Sequence, residues 1–227
     1  MDKQVDLMRT SNQNRFCNLW SRNLVADAPN LGPQVYQQLI DAYNEEQRVY
    51  HTQQHIEDCL ALFDEIKDQL DSPDSVELAI WFHDAIYHID SRNNEARSAD
   101  LFMQLSEDSL MTPLRHQVYQ LIMATLHTGD GMLDHDARFM VDIDLSSFGM
   151  PWEKFLKNSK AVRKEMSHIP DEEFYPKQCA FQQSLLRHGR FYQTDYFFRN
   201  YEQSALNNMA DYYVQLEEKT GIVCEIS

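Results

Sequence analysis

Apolar residues recur along almost the whole chain at the spacing of an amphipathic helix, and no segment alternates cleanly with the period of two expected for a strand. Between about 51 and 70, for example, Ile56, Leu60 and Phe63 fall on one stripe. The pattern predicts helices over roughly 4–26, 33–46, 51–70, 73–87, 93–106, 112–127, 134–148 (in short pieces), 151–167, 174–189 and 194–219. The fold is therefore predicted to be all-α.

Proline and glycine indicate where several of these helices begin and end. Ser72-Pro73 and Thr112-Pro113 each place proline at a first helical position, and Ser72 is predicted to act as an N-cap. Residues 128–131, Thr-Gly-Asp-Gly, predict a turn after the helix that ends near His127. No repeat, low-complexity stretch or linker divides the chain, so we expect residues 1–227 to form a single domain.

Acidic residues outnumber basic ones by 36 to 20, which gives a formal net charge of −16. Binding to the backbone of a long nucleic acid requires a contiguous basic surface, so we do not expect such a partner. A small phosphorylated substrate is still compatible with this charge, because a bound metal ion reverses the local potential. We expect no membrane span and no signal peptide, since the sequence has no apolar run of about 18 residues and no apolar segment follows its first residues.

The four cysteines, Cys17, Cys59, Cys179 and Cys224, are far apart and form no CxxC pair. This spacing does not support a cysteine zinc site, a redox motif or a dense disulfide framework. Because no signal peptide is recognised either, we expect a cytoplasmic protein with reduced thiols.

One segment combines strong hydrophobicity with two ionisable residues. Residues 78–87, LAIWFHDAIY, are apolar on nearly every side of a helix, and His83 and Asp84 interrupt them side by side. An ionised aspartate in such surroundings is costly unless a cation or several hydrogen-bond donors compensate it. The pair is therefore either a His–Asp hydrogen bond within a core helix or part of a metal site.

Three further apolar segments present the same residue types. His51 and His55 lie four residues apart on one helical face, but Thr52 stands where a zinc-protease motif needs glutamate, so that motif is rejected. His127 ends an apolar helix, and the segment FMVDIDL at 139–145 contains two aspartates. Imidazoles and carboxylates that converge from several helices form a typical site for a hydrolytic divalent metal.

The order His55, His83-Asp84, His127, Asp144 resembles the signature of the HD superfamily, a helical superfamily composed largely of metal-dependent phosphohydrolases. The short sequence stretches around these residues resemble those of a small subgroup of predicted HD phosphohydrolases. The matching stretches are RVYH at 48–51, HI at 55–56, WFHDAIY at 81–87, NE at 94–95, SA at 98–99 and DIDL at 142–145 with Gly149, and weaker similarity continues through VRKE at 162–165 and through Glu202, Ala205 and Asn208.

This resemblance implies an HD-domain-like helical bundle with additional N- and C-terminal helices, whose motif-bearing core covers about 48–150. It also implies a divalent metal ion, and the residues that match the family's ligands are His55, His83, Asp84 and Asp144. Asp142 is an alternative to Asp144 at this alignment. The ion is Mn, Mg, Fe, Co, Ni or Zn, because histidine with carboxylate admits all of them.

Other residues are assigned roles near this site. His127 matches a position that in some branches binds a second metal and in others contacts the substrate phosphate, and His51 is either a neighbour of His55 or purely structural. Glu95 and Ser98, one helical turn apart, either line the pocket and orient a water or make capping and inter-helix hydrogen bonds. The candidates for phosphate contact are five basic residues, each of which is otherwise interpreted as an ordinary surface charge: Arg48, Arg92, Arg97, Arg163 and Lys164. Arg48 and Arg163 are favoured among them.

Taken together, the resemblance implies an enzyme that hydrolyses a phosphate ester of a small molecule or nucleotide, with His83, Asp84, His127 and Glu95 as catalytic residues. The alternative is a metal-containing module that binds a nucleotide or regulates a partner without turnover. A third interpretation is a helical interaction protein, because the aromatic residues between 192 and 213 fit core packing or a homodimer interface.

Overall fold

The computed structural model describes residues 2–127, 133–186 and 189–224. Within these ranges the chain forms ten α-helices and no strand, which confirms the predicted all-α class. The helices are α1 (Asp2–Arg22), α2 (Gly32–Tyr43), α3 (Gln53–Ile66), α4 (Pro73–Phe82), α5 (Asn94–Ser106), α6 (Thr112–Ala124), α7 (His135–Asp144), α8 (Trp152–Glu165), α9 (Asp171–Leu185) and α10 (Asp195–Thr220), with 3₁₀ turns at Lys67–Gln69 and Leu145–Gly149. The turn predicted at 128–131 lies outside the described residues.

Helix α4 is the centre of the bundle. Every residue from Ser75 to Phe82 is buried, and α3, α5, α6 and α7 all pack against this helix. Trp81 connects α4 to the first two helices. Its ring lies edge-on to that of Phe16 in α1, with the ring centroids 5.5 Å apart, and its backbone carbonyl accepts a hydrogen bond from Tyr43 Oη of α2 at 2.9 Å. The nearly uniform hydrophobicity of this segment thus follows from contact on all sides.

Two details at the ends of α4 differ from the prediction. Ser72 occupies the N-cap position and Pro73 begins the helix, as predicted, but the side chain of Ser72 makes no capping bond, and its backbone N–H donates to Asp136 Oδ2 at 2.8 Å. The helix ends at Phe82 and does not continue to Tyr87. Beyond Phe82 the chain turns, and the carbonyls of Asp84 and Ala85 accept hydrogen bonds from Arg48 instead of from a further helical turn.

The carboxylate of Asp142 joins α7 to the start of α10. It accepts hydrogen bonds from the backbone N–H of Gln193 at 2.8 Å and of Thr194 at 2.7 Å, and from Thr194 Oγ1 at 2.7 Å. Helix α10 then packs closely on the 3₁₀ turn, where a Cβ atom added to Gly149 would lie 2.7 Å from Cβ of Tyr201. Only glycine allows this close approach.

A disulfide joins Cys179 of α9 to Cys224 beyond α10, with the two Cα atoms 5.9 Å apart. The expectation that all thiols are reduced is therefore wrong for this pair, whereas Cys17 and Cys59 are free. The pairing comes from tertiary structure: Cys179 belongs to a small cluster of buried apolar residues between α8, α9 and α10, and the chain after α10 packs against it. A separation of 45 residues gives no sequence signal for such a pair.

In the described part of the chain, no helix is both long and apolar enough to cross a bilayer.

Replacing Cys224 by Ser is expected to lower the free energy of unfolding by about 2–4 kcal/mol under oxidising conditions, because the crosslink restricts the unfolded chain. Urea unfolding followed by circular dichroism, with and without a reductant, measures this difference. Cys17→Ser is the matched control and should behave like the unmodified chain. An equal stability of Cys224→Ser and the unmodified chain in the absence of reductant would contradict the crosslink.

Candidate metal centre

Three helices direct histidine and aspartate side chains to one point. His55 comes from the first turn of α3, His83 follows the end of α4, and Asp144 is the last residue of α7. His55 Nε2 lies 3.2 Å from His83 Nε2 and 3.2 Å from Asp144 Oδ1, and His83 Nε2 lies 3.4 Å from the same oxygen. Three sequence-distant residues therefore bring their ligand atoms together in a largely buried position.

Asp84 completes this group. Its Oδ2 atom lies 3.2 Å from His83 Nε2 and 3.6 Å from His55 Nε2, and it is buried without a hydrogen-bond partner among the described residues. Donor atoms around one ion at the usual distance of about 2.1 Å are separated by about 3.0–3.4 Å, which is close to the spacing found here. The two imidazole nitrogens and the Asp144 oxygen therefore have a spacing that fits a single divalent cation, and Asp84 Oδ2 is near both imidazoles.

The orientation of His83 favours such a role. Its Nδ1 lies 3.0 Å from the carbonyl oxygen of Ile80, to which a protonated Nδ1 donates, so that Nε2 faces the cluster. Burial lowers the pKa of His83, but Asp84 and Asp144 outweigh it and raise this pKa, so a metal ion would have to displace the proton from Nε2 in order to bind there. Burial alone would raise the pKa of Asp84, but the neighbouring charges of His83 and His51 outweigh it and hold this pKa well below its usual range. The aspartate is thus an anion beside the other ligand atoms.

Asp142 and Asp144 have different partners. Asp142 is fully buried and its carboxylate is bonded to the start of α10, whereas Asp144 lies beside His55 and His83. The two residues are half a helical turn apart, so their side chains leave α7 in different directions. The alternative assignment of Asp142 as the last ligand is therefore wrong, and Asp144 is the aspartate of the cluster.

His127 lies against the same aspartate. Its Nε2 is 2.9 Å from Asp144 Oδ2, its φ angle is 52°, and its Nδ1 is buried without a hydrogen-bond partner among the described residues. A positive φ is uncommon for a residue with a side chain and persists only where the surroundings hold it. The strain at the end of α6 is associated with a side chain aimed at the cluster.

His51 lies at the edge of the cluster and is held by a residue from α8. Its Nδ1 is 2.7 Å from Glu165 Oε2, and its ring stacks on Tyr87 at 4.1 Å. Glu165 Oε1 also accepts the backbone N–H groups of Val49, Tyr50 and His51. Glu165 was not predicted as a site residue, although it lies in the VRKE stretch that resembles the family; its position 114 residues from His51 hides the contact in the sequence.

The predicted phosphate contact of Arg48 does not agree with its position. The side chain is completely buried, and its guanidinium donates to the carbonyls of His51, Asp84 and Ala85 at 3.1, 2.7 and 3.1 Å. These bonds use the donors that a phosphate would need. Arg48 instead fixes the backbone on both sides of the cluster.

Arg163 and Ser98 are also occupied within the protein. Arg163 donates to Asp171 and to two carbonyls of the α8–α9 connection, and it lies over the ring of Phe174 at 4.7 Å. It does not line the cavity beside the cluster. Ser98 Oγ accepts the backbone N–H of Ile86 at 3.0 Å, which joins α5 to the connection before it and not to another helix, and Ser98 does not line the cavity.

A cavity of about 470 Å³ opens beside the cluster. Its inner end includes Asp84, Asp144, His127, His51 and Glu95, so these predicted residues do share one space. The pKa of Glu95 is raised, mainly by burial and also by the charges of the two aspartates. The volume of the cavity lies within the range of about 300–1,000 Å³ that is typical of small-molecule sites.

A second group of possible ligands, Asp71, His135 and Asp136, is committed to the fold. Asp136 accepts the backbone N–H groups of Asp71 and Ser72, and His135 Nε2 lies 2.8 Å from the carbonyl oxygen of Gln69. These contacts join α7 to the segment before α4. These hydrogen bonds explain why Asp71, His135 and Asp136 lie close together, and no metal ion is needed to explain it.

The chain matches no protein-family model, no curated protein and no solved structure.

Replacing Asp144 by Asn is expected to remove bound metal, because an amide is a weaker ligand and the cluster loses one negative charge. Asp142→Asn is the matched control on the same helix. It should keep the metal but lower the free energy of unfolding by about 1–3 kcal/mol, since an amide cannot accept all the bonds from the start of α10. Mass-spectrometric metal analysis and urea unfolding measure both effects, and metal loss confined to Asp142→Asn would contradict the assignment.

Glu165→Gln is expected to lower the free energy of unfolding by about 2–3 kcal/mol at pH 7. Burial alone would raise the pKa of Glu165, but the hydrogen bond and charge of His51 and the backbone N–H groups outweigh it and lower this pKa from 4.5 to about 2. The carboxylate therefore stabilises the fold above about pH 4.5, and this contribution is lost as the pH falls toward 2. Urea unfolding between pH 7 and 3 should show the two proteins converging, whereas the exposed Glu218→Gln should match the unmodified chain throughout.

Proposed function

We propose that this chain is a metal-dependent phosphohydrolase of the HD superfamily, which hydrolyses the phosphate ester of a small molecule. The observation that carries the proposal is the convergence of His55, His83 and Asp144 beside Asp84. Both aspartates line the cavity, and Asp84 Oδ2 is buried without a hydrogen-bond partner among the described residues. The resemblance in sequence names the same four residues in the same order.

In such a reaction the oxygen of a water molecule forms a bond to phosphorus while the bond from phosphorus to the ester oxygen breaks. The ester oxygen leaves as an alcohol after it takes up a proton, and the other product is inorganic phosphate. A bound divalent metal supplies a water of lowered pKa and offsets negative charge on the phosphoryl group. His55, His83, Asp84 and Asp144 would hold that ion, and their largely buried surroundings would strengthen its field.

The remaining residues at the inner end of the cavity supply protons and orientation. Glu95 lines the cavity, and burial raises its pKa, so it retains a proton to a higher pH than a free glutamate and is the candidate to donate that proton to a departing oxygen. His127, beside Asp144, contacts a phosphoryl oxygen in this proposal, and His51 is kept in place by Glu165. Because Arg48 is buried elsewhere, the cavity supplies no arginine from the predicted set.

Asp84→Ala is expected to abolish both bound metal and phosphatase activity while the helical circular dichroism spectrum persists. Activity is measured with p-nitrophenyl phosphate and a panel of phosphate esters, after loading with Mn, Mg, Fe, Co, Ni or Zn. Asp90→Ala, in the same connection between α4 and α5 but on the surface, is the control and should keep both properties.

Full activity of Asp84→Ala would overturn the assignment. Metal in the unmodified chain, tight binding of a nucleotide and no turnover with any of these ions would instead support the alternative of a binding or regulatory module.

A further inference from the structure

Most of the exposed surface inside the cavity is apolar. The 3₁₀ turn, α8 with the connection that follows it, and α9 supply an apolar wall, which consists of Phe148, Val162, Met166, Ile169, Phe174 and Phe181. The same elements also supply polar lining residues, namely Ser147, Asn158, Ser159, Lys177, Gln178 and Gln182. The same cavity contains Asp84 and Asp144, and the ring of Phe181 from the wall lies 6.0 Å from the ring of His127 beside Asp144. The cavity therefore combines charged groups suited to a phosphoryl group with an apolar wall suited to the group attached to it.

Two of the polar side chains that line the cavity have partners in the protein. Gln182 Oε1 accepts a hydrogen bond from Tyr213 Oη at 2.6 Å, and Thr125 Oγ1 donates to the carbonyl of Ile122 at 2.7 Å. The side-chain amide oxygen of Gln178 is buried without a partner among the described residues. The apolar side chains of the wall offer no hydrogen bond to a ligand group that contacts them.

The charges around the cavity restrict the phosphate part of the ligand. Among the described residues that line it, the only lysine or arginine is Lys177, which also lies 3.5 Å from Glu173, and the inner end carries the carboxylates of Asp84, Glu95 and Asp144. A chain of several phosphates needs several cations. A single phosphoryl group at the ligand cluster needs no more than the ion held there.

We propose, on the basis of the function proposed above, that the substrate is a phosphate monoester whose organic part is mainly apolar, and that Phe174 and Phe181 of α9 contact this part. Gln178 limits the apolar character at one point, where it accepts a hydrogen bond from the substrate. Hydroxyl groups of a sugar that contacted Phe174 and Phe181 would lose hydrogen bonds to water without regaining them from these side chains, so the wall favours an alkyl or aryl ester over a sugar phosphate or nucleotide.

Binding of non-hydrolysable probes tests this selection independently of turnover. Methyl-, ethyl-, propyl- and butylphosphonate are titrated into the metal-loaded chain by calorimetry. Affinity is expected to rise about threefold to fourfold for each added methylene group that enters the apolar wall. Gln178→Leu should strengthen the binding of butylphosphonate further, since a buried oxygen without a donor is removed from the wall.

Two phenylalanines of equal exposure provide a matched pair of variants. Phe181 is 41% exposed and lines the cavity, whereas Phe198 on α10 is 42% exposed and does not. Phe181→Ala should weaken the dependence of affinity on chain length, and Phe198→Ala should leave it unchanged. A side chain removed from the surface at either position is not expected to unfold the protein.

The outcomes separate the two proposals. Affinity that does not change or falls with chain length, or faster hydrolysis of a nucleoside monophosphate or sugar phosphate than of butyl phosphate, would overturn the apolar substrate while leaving the phosphohydrolase intact. Absence of bound metal together with absence of phosphonate binding and hydrolysis would overturn the proposed function and this inference with it.

Discussion

The largely buried negative charge of Asp84 and Asp144 is the constraint to which the surrounding structure is fitted. Two carboxylates so close together and so little exposed to water are costly unless positive charge or hydrogen-bond donors compensate them. The side chains that approach them are His55, His83 and His127, each near the end of a different helix. Helices α3, α4, α6 and α7 must therefore end or begin at one point. The termination of α4 at Phe82 is part of this arrangement, because it releases His83 and Asp84 from the regular spiral.

Two other buried charges hold the backbone around these side chains. Arg48 donates to carbonyl groups on both sides of the site, and Glu165 accepts three successive backbone N–H groups just before α3. Arg48 therefore satisfies backbone acceptors, and Glu165 satisfies backbone donors, in segments that lack helical hydrogen bonds. These non-helical segments determine the positions of the ligand residues. The segments are held in place by Arg48, which does not line the cavity, and by Glu165, which contacts the cavity only through His51.

The helices were predictable because the spacing of apolar residues in an amphipathic helix is a local pattern. The residues of the cluster lie far apart in the sequence, and they were predictable only through the resemblance of their order to a family signature. The sequence did not separate Asp142 from Asp144, since both lie in one apolar run and only the start of α10 distinguishes them. It assigned Arg48 to phosphate because a cation in a sequence carries no mark of burial. Glu165 and the Cys179–Cys224 pair were missed for the same reason: each contact joins segments that meet only in the tertiary structure.

The cavity divides its tasks between two parts of the chain. Residues before about 150 supply the charged inner end, and the apolar wall comes mostly from α8, α9 and their connection. The ends of this wall are fixed by contacts outside the cavity, namely Glu165 on α8 and the link from Cys179 on α9. The apolar side chains of the wall form no hydrogen bonds with the ligand cluster. The two parts are connected by Glu165 of α8, which forms a hydrogen bond with His51 at the edge of the cluster. In this arrangement the wall is able to change its side chains, and with them the organic group it accepts, while the charges at the inner end stay as they are.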